Sequence, residues 1–134
     1  MAVFCHIRLV CLAMLMLARL EFADANLRVS ALRARDLPGD AFGNKPDAYV
    51  KIWCGATSGG MTDFEKGNSN PSWTAEFNFP NAKVKDNLKL EVWDKDMIKD
   101  DKLGTCIKTI ESGYKDCNCN LDKGGTLYFS YELK

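Results

Sequence analysis

The chain has 134 residues, 46% of them apolar, and its 18 basic and 18 acidic residues balance to a formal net charge of zero. That length and apolar content suit one modest domain with its own core, and the balance excludes a global field that would gather nucleic acid. Charge is therefore informative only where it clusters.

The first element is an export signal, residues 1–25. His6 and Arg8 precede an unbroken apolar run from Leu9 to Ala18, followed by Arg19, Glu21 and the small-residue triplet Ala23-Asp24-Ala25. A bilayer-spanning helix needs about 20 apolar residues, so this run is too short for an anchor. Cleavage after Ala25 leaves a domain over residues 26–134, secreted into an extracellular setting.

From Asn26 onward the apolar rhythm has period two, the signature of strands with one buried face. Leu27, Val29 and Ala31 alternate with Arg28 and Ser30; Ala48, Val50, Ile52 and Cys54 alternate with Tyr49, Lys51 and Trp53. Ala75, Phe77 and Phe79 follow, then Leu88, Leu90 and Val92, and finally Leu127, Phe129 and Tyr131. Shorter strands are expected at Met61–Phe64, Thr105–Ile110 and Cys117–Leu121. Gly, Pro, Asn and Asp punctuate the runs, at Ser58-Gly-Gly60, Lys66-Gly-Asn-Ser-Asn-Pro71 and Lys123-Gly-Gly125 among others. The spacing of runs and turns predicts an all-β sandwich of antiparallel strands.

Of the six cysteines, Cys5 and Cys11 leave with the signal. Cys54, Cys106, Cys117 and Cys119 remain, an even number in an exported chain, which favours two disulfides with the pairing left open. Zinc is disfavoured: Cys117-Asn118-Cys119 lacks the usual ligand gap, and the single histidine, His6, lies in the signal. Asn70-Pro71-Ser72 has proline in the forbidden position of a glycosylation triplet, so no N-linked sugar is expected.

Chemistry concentrates in two acidic turns. The run Leu88, Leu90, Val92 ends in Asp94-Lys95-Asp96-Met97-Ile98-Lys99-Asp100-Asp101, and a second turn carries Asp40 and Asp47. In a sandwich whose loops cluster at its ends, both turns converge, and Asp40, Asp47, Asp94, Asp96, Asp100 and Asp101 surround one volume. Carboxylate oxygens are the donors that calcium, a hard cation, accepts in flexible geometry. The competing reading is a solvated rim in which Lys45, Lys95, Lys99 and Lys102 form surface pairs; such pairs contribute only about 0–1 kcal/mol and do not call for clustering. Asp36 lies back in its strand and is a poorer ligand.

These residues resemble the C2-domain family across Leu27–Tyr131. The carriers are Gly39-Asp40, Asp47-Ala-Tyr-Val-Lys51, Asn68-Ser-Asn-Pro-Ser-Trp73, Val92-Trp-Asp-Lys-Asp96, Asp100-Asp101 and Leu103-Gly-Thr-Cys106. The resemblance implies an eight-stranded antiparallel β-sandwich, calcium held by Asp40 and Asp47 of the first loop and Asp94, Asp96 and Asp101 of the third, with Asp100 added. It also implies a Cys106–Cys119 disulfide, leaving Cys54 to pair with Cys117. Relative to the family pattern, the first loop is one residue longer at Lys45-Pro46 and the third is one shorter between Asp96 and Asp101. Phe42, Met97 and Ile98 occupy the loop tips as membrane wedges, against the alternative for Met97 of a side chain tucked under its own loop.

The function that follows is a secreted, monomeric module that binds anionic or zwitterionic phospholipid membranes peripherally when loaded with Ca2+. Residues 26–134 leave no room for a pore-forming domain beside the sandwich, so docking rather than perforation is expected. The alternative is an extracellular protein-interaction module that calcium merely rigidifies. An enzyme is not expected, since residues 26–134 hold no histidine for general base work and no Gly-x-Ser-x-Gly turn.

Overall fold

In the computed structural model, which describes residues 25–134, the period-two runs become strands whose alternate side chains meet across two sheets. The expected export signal lies outside the described residues, save Ala25. In chain order the strands are β1 (Leu27–Arg35), β2 (Ala48–Cys54), β3 (Thr57–Met61), β4 (Phe77–Phe79), β5 (Asn87–Asp94), β6 (Asp101–Thr109), β7 (Gly113–Asn120) and β8 (Thr126–Leu133). One sheet runs β4-β1-β8-β7 and the other β3-β2-β5-β6. All the pairings are antiparallel, as the eight-stranded sandwich requires. Leu27, Val29, Leu127 and Phe129 of the first sheet and Val50, Ile52, Leu88, Leu90 and Val92 of the second are buried together as the core.

The strands expected at Thr105–Ile110 and Cys117–Leu121 each begin four residues earlier, at Asp101 and Gly113, and two further strand expectations are corrected. Ala31 points outward, because the register of β1 against β8 shifts between Ser30 and Arg33 and Ala31 takes a left-handed φ of 56°. This bulge reverses the alternation, so Leu32 and Ala34 face inward. The short strand expected at Met61–Phe64 is instead Thr57–Met61, with every residue exposed. It is an edge strand joined to β2 through a tight turn at Gly55-Ala56, and it is held by ladder hydrogen bonds, so no apolar alternation marks it.

Cys106 of β6 and Cys119 of β7 are bridged, with a Cα–Cα distance of 5.7 Å. These are the facing edge strands of the two sheets, so the bridge ties the sandwich closed along that side. The expected partnership of Cys54 with Cys117 is overturned: both are free thiols, Cys54 buried and Cys117 half-buried. Cys54 pairs with Leu88 on β5, and β5 separates β2 from β6. It therefore stands about 10 Å, two strand spacings, inside the edge that faces β7, beyond the roughly 7 Å Cα separation a disulfide spans.

Because successive strands run in opposite directions, the connections after β1, β3, β5 and β7 all emerge at one end. Those connections are residues 36–47, 62–76, 95–100 and 121–125. Both acidic turns are among them.

Candidate metal centre

The first acidic loop is shaped by Asp40. Its Oδ1 accepts hydrogen bonds from the backbone N–H of Phe42 and Asn44, each 2.9 Å, and its Oδ2 accepts one from Asn44 Nδ2, also 2.9 Å. These bonds, that from the Asn44 side chain foremost, hold Asp40 below the usual carboxylate range. Gly39 allows the closure: a Cβ there would lie 2.3 Å from the Asn44 carbonyl oxygen. The loop tip Phe42 is consequently thrown outward, 91% exposed.

Asp94, the last residue of β5, joins the two loops. Its Oδ1 accepts the Asp47 N–H at 2.9 Å, and Lys95 N–H donates back to the Asp47 carbonyl at 2.9 Å. Asp47 Oδ1 in turn accepts the Gly67 N–H at 2.7 Å, which draws in the connection after β3. Burial pushes Asp94 above the ordinary carboxylate range against the pull of the Asp47 N–H, and the nearby charges of Asp47, Asp101 and Asp96 push it the same way. The neighbouring carboxylates thus add to what burial begins at Asp94.

Two adjoining clefts result. One, about 480 Å³, is bordered by Asp40, Asp94, Asp96 and Asp101, with Lys123 at its rim. The other, about 390 Å³, is bordered by Asp40, Asp47, Asp94 and Asp96, with Lys45, Lys66 and Lys95 around it. Each exceeds many times the roughly 30 Å³ share of one water, leaving room for hydrated ions. Five of the six expected carboxylates therefore border one cleft or the other, with Asp40, Asp94 and Asp96 bordering both.

Asp100 is set apart. Its Oδ2 accepts a short hydrogen bond from the Tyr49 hydroxyl and its Oδ1 accepts the Asp96 N–H at 2.9 Å. It borders a different hollow, with Tyr49, Lys51, Met61, Phe64 and Lys95. The bond from Tyr49, ahead of that from the Asp96 N–H, lowers the Asp100 carboxyl; Tyr49 itself is pushed up to about 12, first by burial and then by Asp100. Asp36, with its N–H bonded to Asn70 Oδ1 at 3.0 Å, borders neither cleft.

Met97 and Ile98 are 100% and 98% exposed, so neither is tucked beneath the third loop. Together with Phe42 they place apolar side chains on the tips of both acidic loops.

The donor set suits a hard, oxygen-preferring cation, since the clefts offer carboxylates without histidine or thiolate. In the conformation described, no three His, Cys, Asp or Glu side chains among the described residues are drawn close enough to grip one ion. Oxygens of Asp40, Asp47 and Asp96 are instead engaged by backbone N–H groups.

Sequence reasoning missed two contributors, Lys123 and the Lys66-Gly67 turn, reading both stretches only as turns. The signal that finds them is strand parity: connections after odd-numbered strands share one end.

A C2 domain family model matches residues 25–131. Perforin-1 of Mus musculus is 36% identical over 117 residues, covering 82% of this chain and 20% of its own length. Perforin-1 of Homo sapiens is 36% identical over 113 residues, with the same two shares of 82% and 20%. The chain thus spans about one fifth of the length of these relatives. A solved C2 domain superposes with a TM-score of 0.79 at 42% identity, covering 82% of this chain and 98% of that one. The calcium-bound C2A and C2B domains of extended-synaptotagmin 2 superpose with a TM-score of 0.72 at 25% identity, covering 83% of this chain and 46% of that one. Matched in sequence pattern and in fold over nearly all its described residues, the chain belongs to the C2-domain family.

Proposed function

We propose that this C2 domain is a calcium-dependent module that docks on phospholipid membranes, with Asp40, Asp47, Asp94, Asp96 and Asp101 as the metal ligands. The observation that carries the reading is the convergence of five carboxylates on two adjoining clefts, flanked on both loops by the exposed apolar tips Phe42, Met97 and Ile98. Calcium bound there supplies positive valence for a lipid phosphate.

The chain's own residues do the remainder. Asp94 holds the first loop to the third through the Asp47 N–H, so both sets of carboxylates are presented on one rim. While unneutralised, the same carboxylates repel an anionic surface and keep the tips away from it. Once they are neutralised, the tips gain about 2 kcal/mol each on entering hydrocarbon. Metal and membrane binding are consequently coupled, each raising the affinity for the other. The Cys106–Cys119 bridge supports an oxidising, extracellular setting. Extracellular calcium modules bind at about 10⁻⁴–10⁻³ M, which matches an exported protein.

Co-sedimentation with mixed phosphatidylcholine–phosphatidylserine vesicles, in calcium and in chelator, tests the proposal. Pelleting in calcium alone is expected; equal pelleting in both conditions overturns it. Calcium-raised thermal stability without any pelleting would favour the protein-interaction module instead.

A further inference from the structure

The rim of the larger cleft carries a charge that the metal reading does not use. Lys123, in the turn between β7 and β8, places its Nζ 2.6 Å from Asp101 Oδ1. Of the four lysines bordering the two clefts, Lys123 makes this ion pair to a cleft carboxylate.

Its backbone is pinned from several directions. Lys123 N–H donates to the Leu103 carbonyl at 3.0 Å, and Gly124 N–H and Leu121 N–H close the turn through Leu121 and Gly125 carbonyls at 3.1 and 2.9 Å. Gly104 lets β6 come close beneath it, since a Cβ there would stand 2.7 Å from Leu121 Cβ and from the Asp122 nitrogen. Gly125 likewise admits the carbonyls of Arg35 and Asp36, so the turn is wedged between β6 and the start of the first loop. The ammonium is thus presented to the cleft by a fixed backbone, while both side chains of the pair remain about half exposed. An exposed pair contributes little to folding. Its placement is therefore better explained by what it does to the cleft.

We propose that Lys123 is a tethered counter-cation: in the ion-free state it occupies the Asp101 side of the cleft, and it opposes the binding of a divalent cation there. The inference rests on the calcium reading of the cleft and adds to it the residue that sets the affinity. Two effects act in the same direction. Asp101 Oδ1 must give up its ammonium partner before that oxygen is available, and a lysine left nearby repels the incoming double charge. At separations of several ångströms in a solvated cleft, these amount to on the order of a threefold to tenfold weakening of calcium binding.

The test is a calorimetric calcium titration of the wild-type domain beside Lys123→Gln, Lys123→Arg and Lys115→Gln at constant ionic strength. Lys115 pairs with Glu111 at 3.5 Å across a half-exposed contact at the start of β7, remote from the clefts, so its loss matches the charge change and the broken pair. Lys123→Gln is expected to bind calcium threefold to tenfold more tightly, with Lys123→Arg and Lys115→Gln near wild type. Thermal unfolding in chelator is expected to be unchanged by Lys123→Gln, separating an effect on the cleft from one on the fold. Equal affinity of wild type and Lys123→Gln overturns the proposal while leaving the calcium site intact, as does an equal gain in Lys115→Gln. A wild-type domain that binds no calcium overturns the calcium reading and this proposal together.

Discussion

The first and third loops each use one aspartate to hold their own shape, but they aim it differently. Asp40 gathers Phe42 and Asn44 N–H groups around its carboxylate and still borders both clefts. Asp100 gathers the Asp96 N–H and the Tyr49 hydroxyl and borders neither. Two residues with the same chemistry, each in an acidic turn, are separated by one neighbour: Tyr49 offers a phenol on the outer side of the third loop, and the first loop has no such partner. An acidic turn therefore does not by itself fix which space each of its carboxylates borders.

The largest effect belongs to the residue that joins the loops. Asp94→Asn is expected to weaken calcium binding by more than about 100-fold, through loss of a charge shared by both clefts, and to abolish calcium-dependent pelleting with vesicles. Retained pelleting would break the account of the loops as one site. Next come the tips: Phe42→Ser and Ile98→Ser should each lower vesicle affinity roughly 30-fold, from about 2 kcal/mol of lost apolar transfer, with lipid-free calcium titrations unchanged because no charge is added. A loss confined to one tip would show that the loops enter the bilayer unequally.

Asp40→Asn should weaken calcium about tenfold, by removing a charge that borders both clefts, and Asp100→Asn by no more than about twofold. Equal losses in parallel titrations would mean that Asp100 leaves Tyr49 and joins the ligands. The smallest effect is on pH dependence in chelator. Asp94 has a raised folded value, so it binds its proton more tightly in the folded than in the unfolded state. Its contribution makes the fold less stable as pH rises from the ordinary carboxylate value through the raised one. Asp40 and Asp100 are lowered, and their contributions are lost in the opposite sense, as pH falls through their folded values. Subtracting the Asp94→Asn melting curve from the wild-type curve across pH should leave a downward step with rising pH; an upward step would contradict the raised value that burial and the neighbouring carboxylates give Asp94.

Much of the fold was legible because alternation reports a buried face directly: β2, β5 and β8 follow their apolar runs closely. What was not legible depends on partners. The outward turn of Ala31 comes from a bulge against β8, and β3 has no apolar pattern because it is an exposed edge. At the candidate site, sequence placed the six aspartates near one another but not their directions. Asp100 follows a tyrosine fifty-one positions earlier, and Asp101 a lysine twenty-two positions later. The free thiols of Cys54 and Cys117 teach the same lesson, since pairing by elimination ignores the strand that lies between their sheet positions.

The most direct test is a crystal structure of the domain grown in millimolar calcium, with anomalous scattering used to locate the ions. Calcium is expected between the first and third loops, bound by oxygens of Asp40, Asp47, Asp94, Asp96 and Asp101, with Asp100 still on the Tyr49 hydroxyl. Empty clefts at that concentration, or ions held elsewhere without these aspartates, would contradict it.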